Sequence, residues 1–349
     1  MHLIRRRRRA VPPHRHRSLR LTALAAVAGL AVAAPAGAAT HTTKAASPDG
    51  VTITFGDQLK EYQSVFAATG ALKGAPYTVD WANFVGGPLV IAAETSGSVD
   101  LGDMAETPTI FAQSAGDPVK VVAATEGVDP KVSPYAVLVP AGSPITTVAE
   151  LRGHSVAVQE GTVEQYFLVQ ALQRAGVPYG SVDIENLAVT SASTAVTNGQ
   201  VDAAVVVQPL TGLDLASGRV RELTTGAGLT ETLGYLTASD AALQNPQKAA
   251  ALTDFIERFY RAEATLEKDP GLFASTYAQV YGVPLAVAKE AVASAQVVGT
   301  PITPAIISYQ QAEANTFLKL GLIPSRLNVT SVFDLPFNKV VANAAGLKP

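Results

Sequence analysis

Residues 155–207 begin Ser155-Val-Ala-Val-Gln-Glu-Gly161-Thr162, run on in a helix-spaced apolar pattern to Gly176, and pass an apolar patch near Val182–Val189. They close on Val201-Asp202-Ala-Ala-Val-Val-Val207. Short apolar runs between turn residues read as strands, and apolar positions recurring every three to four residues read as helices. The stretch is therefore strand, glycine turn, helix, strand, helix, strand. The layout occurs once before: a strand at Val51–Phe55, a turn at Gly56-Asp57, a helical stretch, a strand at Tyr77–Trp81, then Gly86-Gly87-Pro88 opening a helix. Val51 to Val99 is 48 positions and Ser155 to Val201 is 46; both units close on Gly-x-Val-Asp, at Gly97–Asp100 and Gly199–Asp202. Two half-sized α/β units in 349 residues predict two lobes with a ligand cleft between them.

The first 38 residues are of another kind. Arg5–Arg9, Arg15, Arg17 and Arg20 precede an alanine-rich apolar run, Leu21–Ala34, and Ala36-Gly37-Ala38. A cationic start, a short apolar run and a small-x-small site are the marks of a secretory signal peptide. The run is shorter than the ~20 residues that span a bilayer. Residues 39–50 read as a polar leader. Removing the signal leaves 18 of the 26 Lys and Arg against 29 Asp and Glu, a net charge of about −11. Nucleic-acid binding needs a basic stripe, and the cations here are scattered. With no cysteine, disulfides, thiol catalysis and thiolate metal sites are excluded; with His154 the one histidine beyond residue 41, a histidine zinc site is too. No cofactor and no metal are expected.

Further strands are expected at Val99–Gly102, Val119–Ala124, Tyr135–Pro140, Val182–Ala188 and Val201–Val207. A crossing between lobes is expected at Tyr135–Pro140, and a return at Tyr235–Ala238. The lobes are then 51–137 with 235–349, and 138–234. Thr162-Val-Glu-Gln165 has the spacing of a capping box. From Gln247 the pattern is helical, with one stripe of Ala250, Phe255, Phe259, Ala262 and Leu266.

Open α/β sheets bind ligands beyond the carboxyl ends of their strands. Those ends carry Asp57 and Gln58, Gly86-Gly87-Pro88, Asp103 through Glu106 and Thr107, Thr125 and Glu126, Glu160-Gly161-Thr162, and Gln208. Trp81 and Tyr135 read as core or cleft-wall aromatics. Two of the ends are helix N-termini, whose unpaired N–H groups and partial positive charge hold an anion without a lysine. Each part has a plainer reading: Thr162 as a helix cap, Asp100 and Asp202 as strand pins, the loop acids as solvated. Their common place at neighbouring strand ends favours a site.

The runs Ser143–Thr162, Gly97–Gln113 and Asn198–Pro209, within roughly residues 51–300, resemble the solute-binding proteins of ABC importers for aliphatic sulfonates, taurine and nitrate. The resemblance implies the type II periplasmic-binding fold, two α/β lobes around a cleft with C-terminal helices. It places Gly86, Gly87, Pro88, Asp103, Glu106, Thr107, Gly161, Thr162 and Gln208 at the ligand. Gln208-Pro209 stands where members often carry Trp-Asp-Pro, so an acid that would meet a ligand ammonium is missing, which disfavours taurine. The lipobox cysteine of many members is missing too. The expected function is capture of a small organic anion, an aliphatic sulfonate first, outside the cytoplasm (in a periplasm or at the cell surface), by a monomer that delivers it to an ABC permease. Nitrate, taurine or a pyrimidine precursor is the alternative ligand; an enzyme or a ligand-presenting sensor on the same fold is the alternative class. Thr162→Pro and Gly87→Val are expected to fold and to lose binding.

Overall fold

The computed structural model describes residues 46–344, so the expected signal peptide and most of the leader lie outside the described residues. The first unit is β1 (Thr52–Gln58), α1 (Glu61–Thr69), β2 (Thr78–Phe84), α2 (Gly87–Thr95) and β3 (Leu101–Ala105), followed by α3 (Thr107–Ala115) and β4 (Val119–Gly127). The second opens with β5 (Tyr135–Pro140) and continues through β6 (Ser155–Val158), α4 (Val163–Arg174), β7 (Asp183–Asn186), α5 (Val189–Thr197), β8 (Ala203–Val207), α6 (Leu210–Ala216) and β9 (Val220–Thr225). The chain then returns as β10 (Leu233–Ser239). Last come α7 (Asp240–Gln244), α8 (Pro246–Lys268), α9 (Pro270–Tyr281), α10 (Leu285–Ala295), β11 (Val297–Thr300), α11 (Pro304–Lys319) and α12 (Asn338–Ala344).

Two sheets result, ordered β11-β4-β10-β3-β1-β2 and β7-β6-β8-β5-β9. The internal echo is topological. In each sheet the first strand of a β-α-β-α-β unit pairs in parallel with the other two. Each sheet also takes one antiparallel strand beside that unit's third strand: β10 in the first, β5 in the second. β5 pairs along both edges with β8 and β9, so Tyr135–Val137 belong with the second sheet.

The shared Gly-x-Val-Asp phrase has one job in both units. Asp100 Oδ2 accepts from Thr54 N at 3.0 Å, and Asp202 Oδ2 accepts from Ser155 N at 2.9 Å. Each aspartate pins the backbone of the neighbouring parallel strand, as the plainer reading of these residues held. Asp100 is buried and also pairs with Lys248 Nζ at 2.7 Å, whereas Asp202 is half exposed beside His154. A buried acceptor of a charge-assisted bond is costly to delete, so Asp100→Ala is expected to lose about 1–3 kcal/mol of stability in urea unfolding. Asp202→Ala is expected to lose less; equal losses would show that burial does not set the difference.

The C-terminal helices cover the first sheet. Phe255, Ile256, Phe259 and Tyr260 of α8 join Ile53, Phe55 and Leu101 in one core. Two local expectations are corrected. Gly56 and Asp57 are not a turn; β1 runs on through Gln58 because β2 pairs with it to the end. β11, four residues containing Gly299, has too little pattern to be read as a strand, and pairing with β4 alone defines it.

Candidate functional site

The carboxyl ends of the first sheet's strands and the glycine turns of both sheets enclose a cavity of about 200 Å³. From the first sheet, Gln58, Gly86, Gly87, Asp103 and Thr125 line it; from the second, Tyr135, Thr162 and Gln208 do. Gly86 has φ 94°, and a Cβ added there would stand 2.8 Å from Gln159 Nε2. The two glycine turns therefore face each other, with the Gln159 amide laid against Gly86.

Both turns open helices. α2 starts at Gly87 with Pro88 in its first turn, and α4 starts at Val163 after Thr162. The backbone N–H groups of Gly86, Gly87, Thr162 and Val163 find no acceptor among the described residues. The expected capping box is not formed. The Thr162 hydroxyl donates to Gln159 O at 2.6 Å, and Gln165 Oε1 accepts from Gly161 N at 2.8 Å, one residue before the cap. A reciprocal box forms at Thr147–Glu150 instead. The side chains at α4 thus turn away from the cap, which leaves its first N–H groups facing the cavity.

Six of the expected residues are elsewhere. Asp57 is buried, and its carboxylate accepts from Tyr62 N at 3.0 Å and Gln63 N at 2.8 Å, capping α1. Pro88 and Gly161 lie close to each other and do not line the cavity. Glu126 points to solvent on β4. Glu106 and Thr107 lie under α11: Thr107 donates to Glu313, and Gln310 Nε2 donates to Glu106 O at 3.1 Å. That cover comes from about 200 residues downstream, which no local pattern announces.

Other lining residues escaped the sequence reading. Gln159 stands two positions before Gly161, inside the quoted stretch. Glu61 and Tyr62 open α1, Glu164 opens α4, and Tyr277 and Tyr281 come from α9. The two tyrosines are four apart on one helix face, a visible signal whose ordinary meaning is core. Burial, with the nearby Asp57 charge, pushes the Glu61 carboxyl up to about 7. Burial, then Asp57 and Glu61, holds Asp103 well above the usual carboxylate range. Burial likewise raises Glu164.

Residues 86–265 match the family model described as NMT1/THI5 like. An aliphatic sulfonates-binding protein of Escherichia coli K12 is 31% identical over 254 residues, 72% of this chain and 77% of that protein. The taurine-binding periplasmic protein of the same organism is 29% identical over 143 residues, 41% of this chain and 43% of that one. The alkanesulfonate-binding protein SsuA from Xanthomonas axonopodis pv. citri, solved bound to MOPS, superposes with a TM-score of 0.75 at 27% identity, covering 82% of this chain and 98% of that one.

Proposed function

The chain belongs to the NMT1/THI5-like family, has the two-sheet fold of periplasmic binding proteins, and is homologous to sulfonate-binding proteins of ABC importers; on that premise we propose that it captures an aliphatic sulfonate outside the cytoplasm and hands it to an ABC permease. The observation that carries the reading is the set of four free N–H groups at Gly86, Gly87, Thr162 and Val163, brought together from two helix N-termini. Helix N-termini favour anions through aligned dipoles and unpaired donors. Four such donors suit the three oxygens of a sulfonate, and none of them loses its proton.

The six-stranded and five-stranded sheets are the two lobes, joined by residues 128–134 and 226–232, and closure over the ligand is the working step. The protein acts as a monomer, and as a binder rather than an enzyme; the relatives named above are binding proteins. Among the described residues no helix is long and apolar enough to cross a membrane.

A thermal-shift series with C2–C5 alkanesulfonates tests the reading. A ligand at a hundredfold excess over its dissociation constant stabilises by about 2.7 kcal/mol. If nitrate or a neutral pyrimidine shifts the melting point and no sulfonate does at millimolar concentration, the sulfonate assignment is wrong.

A further inference from the structure

We infer that the solute carries a positive charge of its own: the wall formed by Glu61, Asp103, Tyr62, Tyr277 and Tyr281 takes a tertiary or quaternary alkylammonium, so the ligand is a zwitterionic sulfonate. The inference rests on the sulfonate reading for the anionic head and goes beyond it to the other end of the molecule.

The first ground is charge. Among the described residues that line the cavity there are three carboxyls, Glu61, Asp103 and Glu164, and no lysine or arginine. Where these acids are ionised they repel a bound sulfonate, and a cationic group beside them favours their ionised form. A ligand bringing an ammonium turns those acids from a penalty into partners. Gln208, which removes an acid from the position the resemblance assigns to it, does not leave the cavity without one; the acids come from α1 and β3 instead.

The second ground is that four of these five groups are uncommitted, while Asp103 already accepts from Gln58 N at 3.1 Å. The Glu61 carboxyl and the hydroxyls of Tyr62, Tyr277 and Tyr281 have no hydrogen-bond partner among the described residues, although each lines the cavity or is buried in its wall. Glu263, 6% exposed on α8 and within electrostatic reach of Glu61 and Tyr62, has neither a hydrogen bond nor an ion pair among them. The Glu61 carboxyl and the three tyrosine hydroxyls are therefore free to meet a ligand that enters the cavity. Glu61 and Asp103 both act on Tyr62 and Tyr281, and Glu61 acts on Tyr277, so the five groups form one cluster.

The third ground is shape. Tyr277 and Tyr281 sit one turn apart on α9 with ring centroids 4.4 Å apart, and Tyr62 is braced against Phe259 at 4.8 Å. Ring faces attract a cation, and more strongly where water is excluded. Ring faces suit an alkylated ammonium, which has few or no N–H groups to satisfy.

Calorimetric titration with three probes decides the matter: propane-1-sulfonate, 3-(trimethylammonio)propane-1-sulfonate and tetramethylammonium chloride. The zwitterion is expected to bind at least tenfold more tightly than propane-1-sulfonate. Glu61→Gln and, independently, Tyr281→Leu are expected to erase most of that preference, with folding checked by circular dichroism. Propane-1-sulfonate binding as tightly as the zwitterion would overturn the inference and leave the sulfonate reading standing. Tetramethylammonium binding while neither sulfonate binds would overturn the sulfonate reading and leave the cage. No binding by any of the three would overturn both.

Discussion

Raising the pH from 5 to 9 is expected to lower the melting temperature of this protein, by about 10 °C on the usual relation between stability and melting temperature for a chain of this size. The cause is a set of buried carboxyls. Burial pushes Glu94, Glu263 and Glu313 each up to about 8, against an ordinary value of 4.5. It raises Glu106 well above the usual range, and Glu313 beside it adds repulsion. The folded chain thus holds protons that the unfolded chain releases near pH 4.5. The stabilising contribution is complete below that value and is lost as the pH rises through about 8. The pair under α11 shows why. Neither oxygen of Glu106 has a partner among the described residues, and Glu313 Oε2 has none. Two such groups can be neutral together, or share one proton, but ionising both leaves adjacent buried charges. Glu313→Gln keeps an acceptor for Thr107 and gives Glu106 a donor, so its melting curve is expected to flatten between pH 6 and 9. A wild-type melting temperature that stays level or rises from pH 5 to pH 8 would show these carboxyls to be ionised in the fold.

Gly87→Ala should cost about 1–3 kcal/mol of stability, the usual penalty for overpacking, and abolish detectable sulfonate binding. A Cβ at Gly87 would lie 2.5 Å from Pro108 Cγ and 3.1 Å from Met104 Cβ. Met104 Cβ is fixed by the backbone of β3, and Pro108 is held in the first turn of α3. The first turn of α2 must then move, and with it the Gly86 and Gly87 N–H groups. This corrects the expectation that Gly87→Val simply folds and loses its ligand: the same contact that clears room for an anion also seats α2 on α3. Thr162→Pro is corrected likewise. Thr162 has φ −122°, far from the proline value near −65°, and Gly161 before it holds φ 74°, so the turn itself would be strained. Denaturant midpoints and calorimetry on Gly87→Ala check both halves. An unchanged midpoint would show that the α2–α3 contact has slack, and unchanged binding would place the anion away from α2.

What was legible in the sequence follows from range. The glycine turns, the strand alternation and the Gly-x-Val-Asp pins act over a few residues or within one β-α-β unit, and each leaves a pattern of spacing. That is why the two units, their helix starts at Gly87 and Thr162, and the structural role of Asp100 and Asp202 could be read directly. Eight of the candidate residues meet in the cavity because strand ends in such a sheet share one rim. Glu106 and Thr107 sit on the same rim by sequence, yet α11 seals them off.

By itself, the order of residues determined a doubled α/β chain with two opposed helix N-termini, because turn geometry and periodicity are local. The tertiary structure alone decided the rest of the cavity. It folded α9 back to set Tyr277 and Tyr281 against Glu61 and Asp103, more than 170 residues away along the chain. It also buried a carboxyl pair beneath α11. Charge and burial depend on what comes to lie opposite, and that is fixed only when distant segments pack.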